Sequence, residues 1–195
     1  MGERKTTDYP VLHFEDQQSW RAWLHEYHAE AKGVWLRLAK KTAQANSVQY
    51  TEALETALCY GWIDGQKQAD DDQFWRQKFT PRTARSVWSK INREKAEALI
   101  ENGLMHAAGL NEVERARADG RWQAAYDSAS KAAVPDDLQQ ALDANPKASA
   151  FFATLDSQNR YAILYRVQTA KKAETRARRI GEYVEMLERN EKLHP

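Results

Sequence analysis

GWIDGQKQADDDQFWRQKFTP, residues 61–81, is the stretch that decides the fold. Its centre is three consecutive aspartates, Asp70, Asp71 and Asp72, between two segments rich in bulky residues. Aspartate favours turns because its short carboxylate bonds nearby backbone amides. The expected structure is a hairpin, with strands over Trp62–Gln68 and Gln73–Phe79. Pro81 has no N–H to give a ladder and stops the second strand. Before Gly61, the spacing of Leu54, Ala57 and Leu58 marks one face of a short helix, with Thr51 as its expected cap. Gly61 can take the left-handed conformation that closes such a helix.

Toward the N-terminus, Val34–Ala39 alternates. Val34, Leu36 and Leu38 fall on one side of a strand, and Trp35 and Arg37 fall on the other. Ahead of it, Trp20, Trp23, Leu24 and Tyr27 recur at i, i+3, i+4, i+7, the stripe of a helix capped by Asp16 and ended by Lys32-Gly33. Val11–Phe14 reads as a short apolar strand, residues 1–8 as a frayed tail, and Thr42–Gln49 as a polar loop. Toward the C-terminus, a helix over Trp88–Asn102, capped by Ser86 or Ser89, places Trp88, Asn92, Ala96 and Leu99 along one side. Another runs over Ala107–Asp119. Gly103 and Gly120 mark their ends, and Arg121–Val134 reads as an irregular connection.

Pro135 and Pro146 each open a helix, the second with Asn145 as cap. Ser157 is the expected cap of a third, apolar all round at 161–165 and so buried in a small bundle. The last helix, Ala173–Asn190, presents Ala177, Ile180, Val184 and Leu187 inward. The class is α+β and helix-dominated: a small antiparallel sheet with flanking helices, followed by a C-terminal helical bundle. A mixed lobe over 9–130 and a helical domain over 131–195 divide the chain.

The chain has 195 residues, enough for a core without staples, and its net charge of +1 supplies no global field toward nucleic acid or membrane. No apolar run approaches a membrane span, so no insertion is expected. The opening residues lack the apolar core of a secretion signal, and the single cysteine, Cys59, has no internal partner. Both point to the cytoplasm.

Five strings stand together: GVWLRLAKK (33–41), ALCYGWIDG (57–65), FTPRTARSVWSKIN (79–92), DGRWQAAYD (119–127) and AKKAETRARRI (170–180). In combination they resemble the YdeI/OmpD-associated family, also labelled bacteriocin-protection proteins. The resemblance covers almost all of the chain beyond residue 10, and Pro135–Lys192 is similar to the small helical domain that defines the family. It implies tolerance of bacteriocins or antimicrobial peptides. Association with a porin is implied by the family name alone. It brings no catalytic site.

The residues themselves offer two ligand constellations. Trp62 and Asp64 share a strand face, where a ring beside a carboxylate can hold a polar ligand or simply pack and bond a turn. Arg82, Arg85, Ser86, Trp88 and Asn92 lie at a strand-to-helix junction, where free N–H groups and arginines suit an anion. Ordinary capping, with Arg82 paired to Asp64, explains the same residues. Lys41 is a candidate nucleophile or ligand group, or a solvated strand end.

Two basic segments, 76–95 and 160–180, each carry seven Lys/Arg and one acid. The second includes Lys171, Lys172, Arg176, Arg178 and Arg179, a candidate polyanion surface or a face balanced by Glu182, Glu185 and Glu188. The five histidines lack metal spacing, so no metal and no cofactor is expected. The leading expectation is a binding or stress-tolerance protein whose partner is an unknown protein or a small anionic ligand. A nucleic-acid or polyanion binder, and a small-molecule enzyme or sensor using Trp62, Asp64 and Arg82, follow in that order.

Overall fold

The computed structural model describes residues 9–195, so the expected frayed tail at 1–8 lies outside the described residues. The chain divides into two compact units. One runs up to Ser86 and resumes over Asn92–Gln123, and the other combines Val87–Ile91 with Ala124–Pro195.

In the first unit, β1 (Val11–His13), β2 (Val34–Ala39), β3 (Trp62–Ala69) and β4 (Phe74–Pro81) form one sheet in the order β1-β2-β4-β3. The hairpin of β3 and β4 is antiparallel and turns at the aspartates, and β2 also runs antiparallel to β4. The sheet is nevertheless mixed, because β1 pairs with β2 in parallel. The reason is connectivity: α1 (Gln17–Tyr27) crosses between those two strands, and a helical crossover returns the chain in the same direction.

α1 and α2 (Tyr50–Cys59) cover one face of the sheet, and Trp20 joins them to it. Its ring lies 5.8 Å from Phe79 of β4, and its indole N–H donates to the Ala53 carbonyl of α2 at 3.1 Å. Asp16 caps α1 as expected, accepting from the Ser19 amide at 2.8 Å. α2 starts one residue ahead of Thr51. Gln49 is its cap, within a capping box completed by Glu52. α1 stops at Tyr27, well short of Gly33.

α3 (Lys90–Glu101) and α4 (Ala107–Ala118) follow. α4 docks closely on the end of α2 because Gly109 has no side chain. A Cβ there would stand 2.3 Å from the Cys59 carbonyl oxygen and 2.7 Å from that of Leu58. The strand pair also contains an irregularity, a bulge between Asp64 and Lys67. Gln77, buried at 4% exposure, serves it: its amide donates to the carbonyls of Gly65 at 2.9 Å and Gln66 at 3.2 Å. The bulge leaves those carbonyls off the regular ladder, and there they satisfy the buried Gln77 amide, which would be costly without acceptors.

The second unit is a helical bundle of α5 (Asp136–Asp143), α6 (Pro146–Thr154), α7 (Ser157–Gln168) and α8 (Ala173–Glu188). Leu138, Leu142, Phe152, Ile163, Val167, Ile180 and Leu187 form its core. Asn145 caps α6 ahead of Pro146, and Asp156, not Ser157, caps α7. On α8 the inner face is Ile180, Tyr183 and Leu187, whereas Ala177 is exposed. Arg176 takes the inner position one turn before Ile180, held by Asp137 and by the Val167 carbonyl at 2.8 Å.

Two glycines on helices should respond oppositely to alanine. Gly109→Ala drives a Cβ into backbone and should cost about 1–3 kcal/mol or more. Gly181→Ala, on α8 with nothing within 4 Å of the new methyl, should gain about 0.5–1 kcal/mol. Urea unfolding of the two variants checks this, and a neutral Gly109→Ala would contradict the close docking.

Candidate functional site

A strand's two-residue period sends alternate side chains to opposite faces. On β4, Gln77 and Phe79 are buried on the helix side, so Arg76, Lys78 and Thr80 project from the other face. Trp35 and Arg37 of β2 stand directly across from Lys78 and Arg76, and Val11 and His13 of β1 continue the row. This open face therefore mixes rings and cations.

At one end of it lies a groove of about 540 Å³, lined by Tyr9, Lys32, Gly65, Gln66, Lys78 and Thr80 among others. Gly65 and Gln66 are the bulge residues whose carbonyls Gln77 holds from the opposite face. The Lys78 ammonium lies 4.8 Å from the Tyr9 ring centroid and 6.0 Å from that of Trp35. Gly33, at φ +152, makes room for the Tyr9 ring, since a Cβ there would come within 2.9 Å of both Tyr9 and Thr80. None of the described residues lining the groove carries a carboxylate.

The far end of the face is different. Arg37 bonds Asp70 at 2.6 Å and also Asp71, and Arg76 bonds Asp70 as well. The guanidiniums of Arg76 and Arg37 hold the Asp70 carboxyl below the usual range, and the Phe74 and Gln73 amides do the same for Asp71. The three-aspartate turn thus neutralises the arginines, while Lys32 and Lys78 stand in no ion pair among the described residues.

Across β4, a second and smaller cleft of about 270 Å³ is lined by His28, Tyr60, Trp62, Arg82, Asn111 and Glu112 among others. Beside it the His106 ring stacks on Tyr60 at 4.8 Å, with His28 at 5.1 Å and His25 at 6.1 Å. The tautomers follow from the partners. His28 Nδ1 donates to the Leu24 carbonyl at 2.8 Å. His106 Nδ1 accepts from the Ala108 amide at 3.2 Å and so caps α4. Desolvation, then the neighbouring His28 and His25, lowers the pKa of His106. No group of three or more metal-ligating side chains among the described residues could hold a metal ion.

The residues singled out in the sequence scatter around these features. Trp62 and Arg82 line the smaller cleft together, though Trp62 is only 1% exposed and donates its indole N–H to the His28 carbonyl. Asp64 lies opposite Phe79 and accepts from the Tyr50 hydroxyl at 2.7 Å. Arg82, 5% exposed, lies past the ladder, where its N–H donates to the Gly61 carbonyl at 2.9 Å. Arg85 and Ser86 belong to a turn in which the Ser86 hydroxyl accepts from the Thr83 amide at 2.9 Å. Lys41 is exposed in a loop, Asn92 is buried in α3, and Trp88 is buried within the segment grouped with the second unit.

The basic segments are matched by acids only in part. Lys90 pairs with Asp127 at 2.7 Å, Lys95 with Glu55 at 2.5 Å, Arg176 with Asp137 at 2.6 Å and Arg178 with Glu182 at 2.5 Å. Arg179 donates to the Arg166 carbonyl, and Lys171 and Lys172 are exposed. The groove residues Tyr9, Lys32, Lys78 and Thr80 escaped the sequence reading. For Lys78 and Thr80 the signal was the outward phase of β4, while Tyr9 and Lys32 lie outside the strands and carried no such signal.

Two family models match the chain. Residues 12–112 match one described as Domain of unknown function (DUF8412), and residues 131–190 match Bacteriocin-protection, YdeI or OmpD-Associated. The YdeI/OmpD-associated match is thus confined to the helical bundle, and most strings quoted from the sheet unit fall within the other model. No curated protein and no solved structure matches.

The histidine cluster makes stability pH-dependent in a defined direction. The folded pKa of His106 lies below its unfolded value, so the unfolded chain binds more protons as pH falls. Its contribution is present above about pH 6.5 and is lost as pH drops through the folded pKa. Protonation also removes the Nδ1 acceptor and sets a cation at the start of α4. His106→Asn keeps a capping side chain without titrating. Between pH 7.5 and 5, wild type should lose more urea stability than this variant, and identical losses would contradict the assignment.

Proposed function

The chain belongs to the Domain of unknown function (DUF8412) family, and from that premise we propose that it acts by binding an anionic ligand on the open face of its sheet. The match of residues 131–190 to Bacteriocin-protection, YdeI or OmpD-Associated supports a bacteriocin-protection-like role. Protection of that kind can be exerted by sequestering a ligand, with no bond made or broken. The observation that supports the reading is the groove itself: Lys32 and Lys78 line it, and none of the described residues in its wall carries a carboxylate. Two ammonium groups lining one shallow depression raise the local concentration of anions more than either would alone on a convex surface.

Localisation is part of the same reading. Among the described residues no helix is long and apolar enough to cross a membrane. The single cysteine is buried and free, which suits a reducing compartment, and we place the protein in the cytoplasm. Fractionation of cells making the native protein should recover it with cytoplasmic markers, and recovery in a periplasmic extract would overturn this.

Calorimetric titration with inorganic polyphosphate at low salt tests the binding. Lys32→Ala and Lys78→Ala should each weaken it several-fold and reduce the slope of log K against log salt by about 1. Lys171→Ala with Lys172→Ala, on the second unit, should leave it unchanged. Loss in that control equal to the loss in the groove variants would move the site off the sheet.

A further inference from the structure

Anion binding makes no direct use of the two rings beside Lys78, Tyr9 in the groove wall and Trp35 next to it on the sheet. Tyr9 is seated there at a specific steric cost, since Gly33 must stay without a side chain for the ring to fit against Thr80. Trp35 stands across the ladder from Lys78 and is half-buried, with one side of the strand pair behind it and the open face in front. A single ammonium, that of Lys78, serves both rings. A ligand that is only a phosphate or a carboxylate would use the lysines and ignore the rings.

We infer that the open face takes a short run of single-stranded nucleic acid, one base stacking on Tyr9 and a neighbouring base on Trp35, with the intervening phosphate on Lys78. This rests on the anion-binding reading and names its ligand class. The chemistry is that of other exposed sheets that bind single strands: aromatic side chains offer stacking surfaces to bases of any identity, and interleaved cations track the backbone. A duplex hides its base faces and cannot use the rings. The charge pattern also limits the footprint. Lys32 stands at the groove, but beyond Trp35 the row meets Arg37 and Arg76, whose charges Asp70 and Asp71 already neutralise. The aspartates would repel further phosphates, so the strand should be held over about two or three nucleotides, the number such sheets commonly stack.

The probes are fluorescently labelled hexathymidylate and hexauridylate, titrated with the full chain at low salt and read by anisotropy. Unlabelled competitors are a duplex, inorganic polyphosphate, and an abasic hexamer with the same backbone charge. The expected result is that both single strands bind, that the duplex and the abasic hexamer compete at least ten-fold more weakly, and that Tyr9→Ala and Trp35→Ala each lose about ten-fold or more. Tyr9→Phe and Trp35→Phe should recover most of it, and polyphosphate binding should survive in all four variants. If the abasic hexamer competes as well as the intact strand, stacking is wrong while anion binding stands, and that result does not depend on any variant folding. If neither oligonucleotide nor polyphosphate binds wild type, both readings fall. Equal competition by the duplex also overturns the inference.

Discussion

A strand hydrogen-bonded along both edges has no freedom to slip, and β4 is such a strand. A shift of one residue against β2 would turn Phe79 out to water and Lys78 into the helices. Phe79 meets Trp20, and Trp20 in turn bonds α2, so the phase of β4 also sets where both helices lie. The same phase presents Lys78 and Thr80 on the opposite face. Core and candidate site are therefore two consequences of one register.

Gln77 shows how closely the two faces are coupled. It is a polar side chain in the core, and its amide donates to the carbonyls of Gly65 and Gln66 at the bulge. Those two residues form part of the groove wall on the other side of the sheet. A bulge is tolerated only where something satisfies the groups it releases. The shape of the open face thus depends on a hydrogen-bond donor that a ligand would never touch.

Much of the fold was legible because its signals are local. The aspartate turn, the outward alternation of β2, the Asp16 and Asn145 caps and the glycines after α2, α3 and α4 each depend on a few neighbouring residues. Other features depend on partners far away in sequence. The parallel pairing of β1 follows from the crossover, not from the composition of Val11–His13. Ala177 sits outside because Arg176 is held by Asp137 and Val167 from other helices. The groove was the least legible feature, since Tyr9, Lys32, Gly65 and Lys78 come from four separate places and no spacing links them. The basic segments are legible in part: a run of cations is visible in one dimension, but the acids that pair with Lys90, Lys95 and Arg176 come from elsewhere in the chain.

The sheet ends on one side in β1 and on the other in β3, and each edge is built differently. β1 contributes only the short span Val11–His13, and β3 is broken by its bulge and carries Gln66, Lys67 and Gln68 in exposed positions. Unpaired strand edges invite further strands, from another copy or from a partly unfolded chain, and grow into aggregates. A three-residue edge offers too few bonds to nucleate such growth, and a bulged edge bearing a lysine cannot keep register with a flat incoming strand. The irregularity that shapes the groove therefore also guards the protein against adding a fifth strand.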